Sequence, residues 1–370
     1  MTDTEYMRRA LELARRGVGW TSPNPMVGAV VVKDGRVIGE GFHERCGEAH
    51  AERNALAHCT EPPAGATMYV TLEPCCHQGR QPPCTDAILE AGIARVVVGS
   101  DDPNPLVAGK GIDILRRAGV EVETGVLKAE CDALNYVFFH YITTGLPYVV
   151  MKYAMTLDGK IATCSGKSKW ITGEAAREQV HRDRSRYRAI MAGGGTVLAD
   201  DPMLNCRVEG GRDPVRVICD SHLRTPLTSR IVSTAREIPT ILATVSADKE
   251  AAAPYEAAGC RVWTLPERGG RPDLTELMRR LGAEGIDSVL LEGGGTLNWT
   301  ALESGIVNRV QAYIAPKLFG GAGAKSPVGG RGVEEPAGAV RLRDISVRRL
   351  GGEIGQPVHM HGVAHRGGHV

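Results

Sequence analysis

Four side chains constrain this chain more than any other feature: His50, Glu52, Cys75 and Cys84. They stand in the stretches Gly47-Glu48-Ala49-His50-Ala51-Glu52, Glu73-Pro74-Cys75-Cys76-His77 and Pro82-Pro83-Cys84. Zinc takes nitrogen and sulfur ligands, and a catalytic zinc keeps its fourth position for water. A glutamate two residues after the histidine, near the metal but not bound to it, can carry protons to and from that water. A fold that uses all four must bring three separate segments to one point.

The local pattern allows this. Ala49 to His58 reads as a helix, with His50 and Glu52 in its first turn. Thr67 to Leu72 reads as a strand that delivers Glu73, Cys75 and Cys76 into a loop. Cys84 follows two prolines and opens a helix ending near Ala91-Gly92. Ligands at two helix starts lie beside positive helix ends, which favours thiolate at Cys84. Two thiolates and a neutral imidazole leave the zinc unit formally neutral, so bound water ionises near neutral pH, with Glu52 as proton carrier. Two other readings stay open on these residues alone. One is a closed structural zinc site with Cys76 or His77 as fourth ligand, and the other is a set of ordinary loop residues without metal. His-x-Glu with Pro-Cys-x-x-Cys is a deaminase signature, yet here the eight residues 76 to 83 separate the cysteines where the common spacing has two.

The rest of the first half alternates helices and strands. A helix over 4–17 precedes strands at Val27–Val32 and Val37–Phe42 joined at Asp34-Gly35. Beyond Cys84 come a strand at Arg95–Gly99, a helix at Gly109–Ala118, a strand at Val120–Thr124 and one helix from Lys128 to Tyr141. This is an α/β pattern with a sheet of four or five strands. Thr144-Gly145-Leu146-Pro147 breaks it, dividing the chain into domains at 1–146 and 147–370.

The second half is α/β again, beginning with a strand at Tyr148–Met155. The loops Gly193-Gly194-Gly195-Thr196 and Gly293-Gly294-Gly295-Thr296 each follow an apolar strand and enter a helix, a place where backbone N–H groups can cradle a phosphate or simply turn tightly. Neither reads G-x-G-x-x-G, so a conventional dinucleotide fingerprint is not supported. Lys152 interrupts an apolar strand and needs a reason to be there. Trp170 reads equally as core, Arg184 as a solvated face of its charged run, and Asp200 as a helix or turn cap. The tail from about residue 352, with His359, His361, His365 and His369, reads as a frayed polar terminus in preference to a metal site.

Composition narrows the partners. In 370 residues, 24% charged, the net charge of +1 offers no bulk attraction to nucleic acid or anionic lipid. No stretch approaches the roughly 18 apolar residues of a membrane span, and Met1–Gly17 is a charged amphipathic pattern without a secretory h-region. Seven of the ten cysteines are scattered, reading as reduced thiols in a cytoplasmic protein. A homo-oligomer is compatible with the sequence, which does not define the oligomeric state.

The stretch Cys75-Cys76-His77-Gln78-Gly79-Arg80-Gln81-Pro82-Pro83-Cys84 resembles the pyrimidine deaminases of the riboflavin pathway, whose second ligand pair is separated in this way. Ser22-Pro23-Asn24-Pro25-Met26-Val27-Gly28 matches that family's N-terminal substrate loop, and Met151-Lys152-Tyr153-Ala154-Met155-Thr156-Leu157-Asp158-Gly159-Lys160 resembles the reductase half of its bifunctional members. The resemblance implies a cytidine-deaminase-like three-layer α/β domain followed by a dihydrofolate-reductase-like α/β domain. It implies one Zn2+ per chain and NADPH. The implied chemistry is deamination of 2,5-diamino-6-ribosylamino-4(3H)-pyrimidinone 5′-phosphate, then reduction of its ribosyl group to ribityl.

Carried onto this sequence, His50, Cys75 and Cys84 resemble the zinc ligands and Glu52 the proton shuttle, with Asn24, His43, His77, Arg80 and Asn104 as substrate contacts. On residues alone His43 and His77 read as structural loop histidines. In the second half Ala154, Trp170, Thr196, Ser221, Gly293, Gly294, Gly295, Thr296 and Leu297 resemble cofactor contacts. Lys152, Ser168, Arg184, Asp200, Leu204, Arg207 and Glu292 resemble the substrate-contacting set. The rivals are a nucleic-acid base deaminase with an unrelated C-terminal module and a structural-zinc, nucleotide-sensing protein. The absence of a basic, aromatic-rich tract counts against the first.

Overall fold

The computed structural model describes residues 1–350 and the backbone of residues 358–365. The chain divides into two compact units, Met1–Gly145 and Leu146–Val370.

In the first unit, helix α1 (Asp3–Ala14) opens with a capping box in which Thr2 N donates to Glu5 Oε2 at 2.7 Å and Glu5 N to Thr2 Oγ1 at 3.4 Å. Strands β1 (Gly28–Lys33) and β2 (Arg36–Phe42) form a hairpin over Asp34-Gly35, both at positive φ. Then follow α2 (Ala51–Ala57), β3 (Thr67–Leu72), α3 (Cys84–Glu90), β4 (Arg95–Ser100), α4 (Lys110–Arg117), β5 (Glu121–Thr124), α5 (Lys128–Leu134) and α6 (Tyr136–Thr144). The sheet order is β2-β1-β3-β4-β5, antiparallel through β3 and parallel beyond it.

Continuous apolar runs in β1, β3 and β4 mean that both faces are covered. Val31, Met68, Val70, Val96 and Val98 pack on Ala55, Ile88, Ile112 and Leu115 on one face. The alternate residues Val30, Tyr69 and Val97 pack on Met7 and Leu11 of α1 on the other. Three layers result. At Gly28 a Cβ would stand 2.0 Å from the Ala10 carbonyl oxygen, so α1 can cross the sheet this closely only over glycine.

The single helix expected over 128–141 is two. It breaks at Asn135 (φ −106°, ψ 20°), because this buried side chain is committed to the backbone of Met26 instead of to a helical neighbour.

The second unit runs β6 (Tyr148–Thr156), α7 (Glu174–Arg186), β7 (Ala189–Gly193), α8 (Gly194–Asp200), β8 (Val215–Cys219), α9 (Arg230–Ser233), β9 (Thr240–Thr244), α10 (Lys249–Ala257) and β10 (Arg261–Thr264). It continues with α11 (Leu274–Ala283), β11 (Ser288–Leu291), α12 (Gly295–Glu303), β12 (Val307–Ala315), β13 (Arg341–Arg349) and β14 (Val358–His365). The sheet order is β10-β9-β8-β7-β11-β6-β12-β14-β13. The strands from β10 to β12 are parallel, and β14 pairs antiparallel with β12 and with β13. Apolar residues again alternate between two covered faces.

The expected frayed tail is corrected in part: residues 358–365 are a strand, which gives the edge of β12 the hydrogen-bonding partner it would otherwise lack. Residues 351–357 and 366–370, His369 included, and the side chains of His359, His361 and His365 lie outside the described residues, and with them the metal reading of that tail. Among the described residues no helix is long and apolar enough to cross a membrane.

Arg216 of β8 is fully buried and has no carboxylate partner among the described residues. Its guanidinium donates to the carbonyls of Met203, Ile231 and Ile238 and to the hydroxyls of Thr234 and Thr240, at 2.9–3.3 Å. It thus ties the approach to β8, helix α9 and the start of β9 together. Replacing it leaves buried carbonyls unpaired at about 1–3 kcal/mol each. Arg216→Leu is expected to lower the stability of the second unit by about 3 kcal/mol or more, read as a shift of its urea midpoint. An unchanged midpoint would show that water replaces the guanidinium without cost.

Candidate functional site

The first unit brings its four constraining residues together. His50 is the N-cap of α2, with extended backbone (φ −76°, ψ 166°), one position short of the helical turn expected for it. This exposes its ring to the ends of β3 and α3. Its Nδ1 lies 3.4 Å from Cys75 Sγ and 3.4 Å from Cys84 Sγ, and the three ligand atoms lie within 4.8 Å of one another. Tetrahedral ligands at zinc bond lengths stand about 3.6 Å apart, so the set fits the metal. Cys76 Sγ turns to the Leu106 carbonyl at 3.8 Å, and neither Cys76 nor His77 joins the cluster among the described residues, which speaks against a closed four-ligand site.

The charge distribution differs from the sequence expectation. The amide of Cys84, at the start of α3, donates to Cys75 Sγ at 3.4 Å, so the helix end serves Cys75. The hydrogen bond from Cys84, then the contact with His50, lowers the Cys75 thiol from its usual value, so the two thiols share one proton unequally. A bound metal ionises both. Burial, then the charge of Cys75, raises the Glu52 carboxyl to about 7, a value suited to a group that must take and return a proton at neutral pH.

These residues open on a cavity of about 370 Å³, within the usual range for a small-molecule site. Asn24, His43, His77, Arg80 and Asn104 all line it with His50, Glu52 and Cys75. His43 is both structural and exposed to the cavity. Its Nδ1 contacts the Ala49 carbonyl at 3.0 Å, its Nε2 contacts Asn24 Nδ2 at 3.1 Å, and burial lowers its pKa, so the ring is neutral. His77 Nδ1 is buried without a hydrogen-bond partner among the described residues. The inserted loop 76–83 is tied down: Gln81 Nε2 donates to the Gly47 carbonyl (3.0 Å) and Arg53 Nη2 to that of Pro83 (2.9 Å).

Sequence reasoning missed several residues here. Glu73, buried two positions before Cys75, accepts from the amides of Gly109, Gly111 and Ile112 at 2.9–3.3 Å and so fixes the ligand loop on α4. Asp102, Phe138, Tyr141 and Ile142 also line the cavity. Their partners are distant in sequence, and no local signal marks them.

In the second unit, Lys152 of β6, Arg184 of α7 and Glu292, directly after β11, form one ionic cluster. Arg184 Nε and Nη2 donate to the two Glu292 oxygens at 2.7 and 3.0 Å, and Lys152 Nζ lies 3.5 Å from Oε2. Arg184 is only 12% exposed, which removes the solvated-face reading. Burial alone would raise the Glu292 carboxyl, but Arg184 and Lys152 overcome it and hold it at about 2. Ser168 Oγ donates to Asp200 Oδ1 at 3.4 Å; Asp200 ends α8 and caps no helix start. Arg207 Nε donates to His181 Nε2 at 3.1 Å. Leu204 is different: its side chain is 4% exposed and belongs to the core with Ile190 and Ile218.

The two glycine loops leave neighbouring parallel strands, β7 and β11, at their C-terminal ends. A Cβ on Gly294 would stand 3.9 Å from Thr196 Oγ1, so the loops adjoin. Gly293 and Gly295 have no room for one, with Asn298 Oδ1 at 2.6 Å and the Ser326 carbonyl at 2.8 Å. The first amides of α12 lack intrahelical partners, the arrangement to which anions bind at helix starts. Ser221 follows the adjoining strand β8 and Leu297 packs beside the loops' strands, whereas Ala154 of β6 packs on Ala176 and Val180 of α7 and on Tyr313 of β12. Trp170, 61% exposed, is not core.

Comparison with known proteins decides between the readings. Residues 147–355 match the RibD C-terminal domain, and residues 1–100 match the cytidine and deoxycytidylate deaminase zinc-binding region. The riboflavin biosynthesis protein RibD of Actinobacillus pleuropneumoniae is 58% identical over 354 residues, 96% of this chain and 94% of that protein. The chain belongs to the RibD family. The Escherichia coli K12 member is 41% identical over 96% of this chain and 98% of its own. A solved Acinetobacter baumannii RibD superposes with a TM-score of 0.87 at 39% identity, covering 98% of this chain and 99% of that one.

Like its RibD relatives, the chain is therefore a two-activity enzyme of riboflavin biosynthesis, a zinc-dependent deaminase and an NADPH-dependent reductase acting on small pyrimidines. Its fold is the deaminase-like and reductase-like α/β pair expected from the sequence. The nucleic-acid deaminase and structural-zinc readings fall away.

Proposed function

We propose that residues 1–146 deaminate 2,5-diamino-6-ribosylamino-4(3H)-pyrimidinone 5′-phosphate and that residues 147–370 reduce the ribosyl group of the product to ribityl. The observation that carries this is His50 Nδ1 equidistant from two thiol sulfurs, beside a buried carboxyl, in a cavity of about 370 Å³. A solved Thermotoga maritima relative, 38% identical with a TM-score of 0.84 and 98% of both chains covered, is described as the corresponding deaminase and reductase.

Held by His50, Cys75 and Cys84, zinc supplies a Lewis acid that makes water a nucleophile near neutral pH. Glu52 moves the proton at its carboxyl oxygen, from the attacking water to the departing amino nitrogen. Asn24 and neutral His43 orient the ring, His77 offers its unpartnered Nδ1, Asn104 faces the sugar, and Arg80 takes the phosphate, which its guanidinium fork matches. In the reductase, NADPH supplies the hydride, bound through Gly293–Leu297 with Ala154, Trp170, Thr196 and Ser221. Glu292 holds Lys152 and Arg184 toward the sugar phosphate, with Ser168, Asp200 and Arg207 as further contacts and Leu204 contributing through its backbone. The ten free cysteines suit a cytoplasmic enzyme.

Turnover of the diaminopyrimidine nucleotide with and without NADPH tests the order of steps, with X-ray absorption at the zinc edge on the same sample. The expected result is ammonia and deaminated nucleotide without NADPH, reduced product with it, and one nitrogen, two sulfurs and one oxygen around zinc. Three sulfurs would put Cys76 on the metal. NADPH oxidation at equal rates by the amino precursor would reverse the proposed sequence.

A further inference from the structure

We infer that Asn135 is a positioning residue of the deaminase cavity, holding the loop that carries Asn24 against the last helix of the first unit. The inference rests on the assignment of that cavity to deamination. Asn135 is 2% exposed and sits at the junction of α5 and α6. An asparagine at a helix start ordinarily accepts from the first-turn amides, but this one makes no capping bond. Its Oδ1 instead accepts from Met26 N at 2.9 Å, and its Nδ2 donates to Met26 O at 3.0 Å. Both backbone groups of one residue are thus matched by one side-chain amide, as a neighbouring strand would match them.

From Met26 the path leads to the metal ligands through contacts already described. Asn24, two residues back, meets His43 Nε2 at 3.1 Å, and His43 Nδ1 meets the carbonyl of Ala49, the residue before His50. Asn54 fastens the same strand end, donating to the carbonyls of Phe42 (2.8 Å) and Ala49 (3.3 Å). Beyond Asn135 in sequence, Phe138, Tyr141 and Ile142 of α6 line the same cavity as Asn24. One buried amide therefore joins two segments that line the cavity, while touching neither substrate nor metal ligands. All of these α6 residues lie beyond residue 100, where the match to the generic zinc-binding region ends, so α6 contributes the fit to this substrate and not the hydrolytic centre.

Substitution should then weaken substrate binding while sparing zinc and the chemical step. In the full chain, Asn135→Leu keeps the side-chain size and removes both hydrogen bonds, and Asn135→Asp keeps only the acceptor for Met26 N–H. Zinc content and kcat of the same protein serve as the folding reference for the first unit, and reduction of the deaminated substrate as that for the second. The expected result for Asn135→Leu is a deaminase KM raised about tenfold or more, with kcat within about threefold, one zinc per chain and unchanged reduction. Asn135→Asp should fall between Leu and wild type, and it decides the matter if the Leu chain does not fold. An unchanged KM in both variants, or loss of zinc and kcat at constant KM, would overturn the inference. Glu52→Gln in the same assay separates the two levels: if it still deaminates, the cavity assignment fails, and if it does not while KM stays unchanged in the Asn135 variants, only the positioning role fails.

Discussion

Glu52→Gln is expected to retain zinc, fold and NADPH-dependent reduction while losing deamination by on the order of three decades or more, the upper range for a general acid–base group. The substitution is nearly isosteric, and the side chain is 4% exposed, so packing is preserved. What changes is proton exchange. Burial lifts the carboxyl to about 7, so wild-type Glu52 can exist in both protonation states at neutral pH, and a glutamine amide in neither. One group must accept a proton early in the reaction and deliver one to the leaving amine later, so no single substitute restores both halves. Ammonia release and NADPH oxidation measured on one preparation give the test and its control together. Deamination near the wild-type rate with zinc in place would remove Glu52 from the mechanism.

How much of this was legible in the sequence depended on where each residue's partners lie. The ligand set was readable because a metal demands particular side chains, and the spacing 50, 75, 84 survives whatever fold delivers it. The α/β layering was readable because apolar runs in strands such as Val96–Val98 admit few other fates. The cap position of His50 was not, since a helix boundary is uncertain by a residue or two. Nor was the hydrogen bond that the Cys84 amide gives to Cys75. The argument from the helix end considered Cys84's own position, whereas the amide in question points at the neighbouring ligand. The unbroken helix over 128–141 failed for the same kind of reason, because Asn135 answers to a residue 109 positions away. Arg184 shows the limit most plainly: four charged residues in a row look solvated, and only the fold reveals that one of them faces inward to Glu292.

That pairing carries the second large prediction. Glu292→Gln removes the only carboxylate bonded to both Arg184 and Lys152 among the described residues and leaves two buried cations facing each other. Breaking a buried ion pair on one side costs about 3–5 kcal/mol. The same two cations, overcoming the effect of burial, hold the carboxyl at about 2, well below the value of about 4.3 in an unfolded chain, so folding favours its ionised form. Because the folded-state pKa is depressed, this stabilisation is present above the unfolded value and fades as pH falls through the folded one. The stability gap between wild type and Glu292→Gln should therefore be full at pH 7, shrink below about pH 4 and close near pH 2. Three of the four tryptophans, Trp170, Trp263 and Trp299, lie in the second unit, so their fluorescence reports its denaturant transition. Reduction should be lost with the cluster's geometry, and deamination, housed in the other unit, should persist. Equal stability of the two proteins at pH 7, with reduction intact, would mean that the arginine and lysine find other partners and that Glu292 is not what holds them toward the sugar phosphate.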